Sequence, residues 1–296
     1  MTGIRNGVVA IIKEQATHCT SSHCDLHREK LASKSLNSGD KGPFDIVMDD
    51  VVKSINEIKA SSKKSRMFTL LCEEMSEVNR TILFHCEIRW LSRGAALIRL
   101  FSLRKAVLAF FNEQKSRKAV HFTDDLWLSK LGYLSNFFSK LNVLNRSLQG
   151  KGMDIFTAHD IIEAFKLKLP IWKQRIQARD VTDFPNLQLA LTEATDSDDK
   201  DDQLVENVLS LAMEHLALLM FNFSKYFPPI SQEEHQKPRW IINQFCKDIF
   251  SGSNLNNSQL KMLVDLSCDA RMKDLYKESS RTQFWAKAHK EEYYKN

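Results

Sequence analysis

The sequence predicts a mainly helical protein. Only 9 glycines and 6 prolines punctuate 296 residues, too few for a turn-rich β fold. Apolar residues recur three and four apart along most of the chain, the spacing that lines one face of an α-helix. Hydrophobic residues make up 43% and charged residues 27%, the balance of a globular chain with a core to bury. The formal net charge of +5 is mild for this length, and a solvated surface accounts for it without a nucleic-acid partner. No run approaches the ~18 apolar residues of a membrane span. The opening MTGIRNGVVAIIKEQ does not have the form of a secretory signal. Six cysteines in such a chain read as reduced thiols.

Taken in order, Gly3–Gln15 carries Ile4, Val8, Ile11 and Ile12 on one helical face. Its apolar positions come so early that neighbouring elements are expected to be missing. Cys19, Cys24 and His27 follow, and Cys24-x-x-His27 has the spacing of a zinc half-site. No second half-site follows at the usual ~12-residue distance, so no metal is expected. Cys24 and His27 remain the weak candidates, with ordinary packing and a local hydrogen bond as the alternative. Arg28–Leu36 reads as a short helix, and NSGDKGP, residues 37–43, as a turn.

Phe44–Lys59 is helical through Val47, Val51, Ile55 and Ile58. Its Asp49-Asp50 pair diverges by ~100° around the helix and reads as a solvated face. Ser61–Lys64 breaks the pattern, and Arg66–Met75 is a further amphipathic helix. Thr81–Phe84 is apolar and either extended or helical. From Leu91 one long helix is expected through Phe111, with Arg93, Arg99, Arg104 and Lys105 mostly off its apolar face. Asp124-Asp125 is suited to cap the next helix, which runs to about Leu148. Its stripe is Trp127, Leu131, Leu134, Phe138, Leu141 and Leu148, with Asn145 in one apolar slot.

Ala158–Gln177 repeats the pattern, with Pro170 expected to kink or split it. Lys166, Lys168, Lys173 and Arg175 around Trp172 form the most basic short run. Such a run suits phosphate, though solvated lysines are the commoner outcome. An acidic loop spans Asp196–Asp202. Gln203–Tyr226 is a strong helix with His215 inside its stripe, the position of a satisfied core histidine. Pro228-Pro229 ends it. Trp240–Phe250, Asn256–Tyr276 and Thr282–Lys290 complete about nine helices. Phosphate-loop, nucleophile-elbow, zinc-protease and C-x-x-C motifs are all lacking, so no enzymatic activity, catalytic residue or cofactor is expected.

The blocks SSHCDLHREKLASKSL, LLCEEM, FHCEIRWLSRGAALIRLFSLR, LGYLSNFFSKLNVLNRSLQGK and AFKLKLPIWKQRI, in this order, resemble the hAT-superfamily transposases. More closely, they resemble the domesticated vertebrate branch that includes zinc finger BED domain-containing protein 5 and SCAN domain-containing protein 3. It implies an all-helical insertion domain over residues 37–250. Remnants of a ribonuclease-H-like α/β core would flank it at residues 1–36, and a partial core and dimerisation segment at 251–296.

By the same resemblance, the BED finger and the Asp-Asp-Glu carboxylates that hold metal for strand transfer lie outside this stretch. Cys24 and His27 match a Cys-x-x-His motif beside the family's active site. Trp90, after Arg89, matches a tryptophan that stacks on a flipped base, with Arg93 adding charge; a buried anchor is the alternative role. Base stacking contributes about 1–3 kcal/mol. The expectation is a domesticated, catalytically inactive interaction module. The alternatives are a residual DNA-binding module using Arg89, Trp90, Arg93, Lys173 and Arg175, or a truncated product without a selected function. Expected partners are a protein, a second copy or DNA, with neither a membrane nor a small-molecule substrate. Nuclear rather than cytoplasmic location is implied by the family alone. Thr2–Gln15 and the chain after Ser251 are expected to pack poorly.

Overall fold

The computed structural model describes residues 7–15, 24–34, 41–83, 90–150, 153–195, 202–228, 239–245 and 255–290, the side chains of 90–93, 195 and 239 excepted. Every regular element among them is helical. The first seven are α1 (Val8–Gln15), α2 (Asp25–Ala32), α3 (Pro43–Ile58), α4 (Ser62–Glu74), α5 (Trp90–Ser102), α6 (Arg104–Glu113) and, after a 3-10 helix (Arg117–Thr123), α7 (Asp125–Ser147). There follow α8 (Ile155–Gln177), α9 (Pro185–Thr195), α10 (Asp202–Tyr226), α11 (Arg239–Ile242), α12 (Asn257–Cys268), α13 (Ala270–Glu278) and α14 (Arg281–Ala288).

One large apolar core runs from Ala32 to Phe227, and a small one gathers Leu263, Leu266, Met272, Phe284 and Ala288. The large core is built around α7, which packs most extensively on α5 and α9, while α10 packs on α8 and α2. Two glycines permit the close approach to α7. A Cβ on Gly94 of α5 would lie 2.9 Å from the Phe138 carbonyl oxygen of α7. One on Gly132 of α7 would lie 2.7 Å from the Asn186 carbonyl oxygen of α9. Both distances are below contact, so a larger residue would push the helices apart.

Local chemistry explains most boundaries. Asp124 caps α7 by accepting from the Trp127 amide at 3.1 Å. Ser61 caps α4, so the serine-lysine stretch read as a break is a helix start. Three helices end on a non-glycine residue in the left-handed region: Ser76 after α4, Lys115 after α6 and Arg179 after α8. Each end is closed by an amide reaching back five residues, such as Ser116 to Phe111 at 2.8 Å.

Several sequence expectations need correction. The long helix through Phe111 breaks at Leu103 into α5 and α6. A long-range contact marks the break: Arg104 donates to the Phe101 carbonyl at 3.1 Å and forks onto Glu193 at 2.7 and 2.8 Å. Pro170 does not divide α8. It sits on the exposed face, where water can satisfy the carbonyl it orphans, while Ile162, Phe165, Leu169, Trp172 and Ile176 stay buried. The helix expected over Asn256–Tyr276 breaks at Asp269, which caps α13 by accepting from Arg271 and Met272 amides. The expected Trp240–Phe250 helix is the short α11, its residues 246–250 lying outside the described ones. The 3-10 helix and α9 were not anticipated.

α1 buries nothing, with Val8, Ile11 and Ile12 about half exposed. The chain after Ser251, by contrast, packs better than expected. Phe284 and Met272 are fully buried, ringed by Trp240, Phe245, Tyr276 and Trp285. α10 alone among the described helices is long and apolar enough to cross a membrane. Its Val208, Leu209, Ala212, Leu216, Leu219 and Phe223 are buried in the large core.

Candidate functional site

Two buried polar centres stand out within the large core. The first joins α2 to α7. Leu26, Glu29 and Ala32 recur at helical spacing, which carries the Glu29 carboxyl inward with the apolar face of α2, and it is completely buried. Asn145 of α7 donates Nδ2–H to its Oε2 at 2.9 Å, and the Ser33 hydroxyl lies 3.4 Å from its Oε1. Gln149 in turn donates to Asn145 Oδ1 at 2.6 Å. Burial pushes the Glu29 carboxyl up to about 7, against the bonds from Asn145 and Ser33. The neutral acid fits this setting, because its O–H can use a lone pair of the Ser33 hydroxyl while Asn145 supplies the opposite donor. Beside it, Arg28 donates to the Tyr226 carbonyl at 2.7 Å and stacks 4.4 Å over Phe227. α2 is thereby fastened to the end of α10.

The second centre joins α7 to α10. The Tyr133 hydroxyl lies 2.9 Å from His215 Nδ1, and both side chains are fully buried. Phe137 sits edge-on to the imidazole at 4.6 Å, and Phe44 tilts against it at 5.6 Å. Burial pulls the imidazole down to about 3 and raises the phenol. The ring is therefore neutral, and its Nδ1 shares one hydrogen bond with the Tyr133 hydroxyl. Its Nε2 has no bonding partner inside this aromatic cage. The buried Cys72 thiol is pushed up to about 11, mainly by burial, and is a packing residue. These groups are sealed from solvent, so they fix helix positions rather than meet a ligand.

The surface residues singled out from the sequence fall in separate places. Arg89 lies outside the described residues. Trp90 and Arg93 form the first turn of α5, which Gly94 seats against α7, but their side chains are not described. On α8, Trp172 is buried in the core beneath Lys140, whose ammonium is 4.5 Å from its ring. Arg175 is held by Asp180 at 2.9 Å and Asp183 at 2.7 Å. Lys173 is half-buried and, two positions away on the helix, faces another way. Cys24 is exposed just ahead of α2, with no side-chain capping bond, and His27 is exposed one turn on. No group of three metal-ligating side chains occurs among the described residues.

Sequence reasoning singled out Asn145 and His215 as polar residues in apolar stripes, but not Glu29. A carboxylate between Leu26 and Ala32 was the same signal on a shorter helix.

A family model described as the FAM200/GTF2IRD2 helical domain matches residues 23–177. That span contains α2 to α8 complete, and both ends of the Glu29–Asn145 bond. The family is related to domesticated proteins derived from hAT transposases. No solved structure matches the chain.

Proposed function

The chain belongs to the FAM200/GTF2IRD2-like helical-domain family, and we propose that it works as a non-catalytic interaction module. The observation that carries this reading is a set of large apolar side chains left exposed on two helices that pack on each other. α8 and α10 run antiparallel: Lys166, midway along α8, meets the Phe227 carbonyl just past the end of α10 at 3.0 Å, and Arg179, just past the end of α8, meets Glu206 near the start of α10. Leu167 and Ile171, one turn apart on α8, and Phe221 of α10 lie outside the buried stripes of their helices. They are 67%, 53% and 66% exposed. Large apolar side chains left in water on two packed helices suit a partner surface.

The reading includes a finer placement. The chain is a domesticated hAT-transposase relative akin to the BED- and SCAN-containing branch, with residues 37–250 as the insertion domain and 1–36 and 251–296 as flanking core remnants. The ordered sequence blocks support it. The test is affinity capture with the chain and with Leu167→Glu/Phe221→Glu, both checked for helicity by circular dichroism. A partner set that disappears with the variant supports the module. Equal recovery by both proteins would sink it.

A second reading, residual DNA binding through Arg89, Trp90 and Arg93, is supported by the place of Trp90 and Arg93 in the first turn of α5, just ahead of the close approach of Gly94 to α7. Hairpin and plain duplexes titrated across a salt series, with Trp90→Ala alongside, test it. Loss of hairpin preference in the variant supports the reading, and absence of binding at low salt removes it.

A further inference from the structure

The positive charge of this protein is concentrated in one corner. Residues 57–66 and 113–118 carry seven lysines and arginines against two carboxylates. Their net of +5 equals the formal charge of the whole chain, so the remainder is formally neutral. The fold brings the two stretches together. Lys118 of the 3-10 helix pairs with Glu57 of α3, and the Ser116 hydroxyl also bonds to that carboxylate. Burial would raise the Glu57 carboxyl, but the bonds from Lys118 and Ser116 and the charges of Lys118 and Lys64 hold it below its ordinary value. The shared carboxylate is thus committed inward. Lys63, Arg66, Lys115 and Arg117 around it are exposed.

Two further features define what fits there. Lys63, Arg66 and Leu70 follow one another at spacings of three and four on the outer face of α4. Leu70 is 57% exposed, and Val120, two residues past the other basic stretch, is 61% exposed. Past Leu70 the same helix turns acidic at exposed Glu73 and Glu74. Lys115 occupies the left-handed position that closes α6, where a glycine would be less strained. A long phosphate backbone following α4 would meet Glu73 and Glu74 and gain nothing from Leu70 or Val120. A short acidic strand with interspersed apolar side chains meets cations and apolar groups in turn.

We propose that the corner formed by the start of α4 and the start of the 3-10 helix binds a short acidic segment of a partner protein, bearing apolar residues among its carboxylates. This goes beyond the apolar surface of α8 and α10 and engages a separate face of the same module.

Fluorescence anisotropy tests it with a labelled eight-residue peptide alternating glutamate and leucine, added to the full chain. The corner variant is Lys63→Glu/Arg66→Glu/Lys115→Gly/Arg117→Glu, and Lys115→Gly also relieves backbone strain. Lys30→Glu/Lys261→Glu serves as a charge control away from the corner. Binding by the native chain should weaken at least about tenfold in the corner variant, several exposed ion pairs being lost together. It should change less than about twofold in the control and vanish for a glutamine-leucine peptide. Absence of peptide binding, or an equal loss in the control, would overturn the proposal. So would tighter binding of plain duplex DNA that the corner variant abolishes, or a salt-sensitive dimer lost in that variant, which would assign the corner to nucleic acid or to a second copy. Partner capture that fails only with Leu167→Glu/Phe221→Glu, alongside a failed peptide test, would leave the interaction module standing without this corner.

Discussion

The two cores solve burial differently. The large core has enough volume to enclose whole polar side chains and couples them in pairs, Glu29 with Asn145 and Tyr133 with His215, though His215 Nε2 stays without a partner. The small core encloses few residues and uses aromatic rings with a polar handle instead. Trp285 donates its indole N–H to the Ile241 carbonyl at 3.1 Å, and the Tyr276 hydroxyl donates to the Ile242 carbonyl. Those two bonds hold the four-residue α11, which is far too short to persist alone, while the rings supply the apolar mass. A large core can hold its own polar chemistry; a small one binds backbone with the edges of its packing residues. The two are linked by Arg281, which donates to both carboxylate oxygens of Asp154 at 2.6 and 2.7 Å.

The largest expected effect separates the cores. Phe137→Ala should cost about 3–5 kcal/mol and lower the main unfolding transition measured by calorimetry. Phe284→Ala should release hydrogen exchange only in α11 to α14. If Phe284→Ala lowered the main transition equally, the cores would be one cooperative unit and the contrast would fail.

Next comes pH. The folded Glu29 value of about 7 lies above its ordinary 4.5, so the folded state keeps a proton the unfolded chain releases. Its contribution is whole below about pH 4.5 and is lost as pH rises through 7, about 3 kcal/mol in all. Denaturant midpoints for Glu29→Gln should therefore lose that slope between pH 5 and 8 relative to the native chain. An unchanged slope would mean the carboxyl is ionised where it lies.

Arg281→Ala removes a charge-assisted, two-oxygen bond worth about 1.5–3 kcal/mol. It should loosen the small core while leaving the large one intact, sharpening the contrast. Tyr133→Phe strips His215 of its Nδ1 partner and should cost about 1 kcal/mol, read as a small shift of the main transition alone.

The helices that were legible in the sequence are those whose own stripe is continuous. α7 and α10 read correctly because their apolar residues recur at helical spacing for more than twenty positions. The break at Leu103 was hidden, since Arg104 meets a glutamate 89 positions away, and no local pattern announces such a contact. α9 was hidden for a related reason: its place is fixed by backbone meeting backbone at Gly132 and by Asn136 accepting from the Asn186 and Leu187 amides. Pro170 misled because a proline breaks a helix according to which face it occupies, a property set by the neighbours. Of the surface residues singled out, the charge of Arg175 was legible but its commitment to Asp180 and Asp183 was not. The corner around Glu57 needed the fold, because its two basic stretches are distant in sequence and neither is remarkable for length.

The indoles of Trp240 and Trp285 stand at right angles with their rings 5.6 Å apart. At that distance their excited states couple. The pair should act as an internal optical gauge, giving an exciton-coupled dichroic signal that the separate indoles of Trp127 and Trp172 in the large core do not form. That signal would fade when α11 slips by even a few ångströms, so the docking of a four-residue helix could be followed in solution without a label.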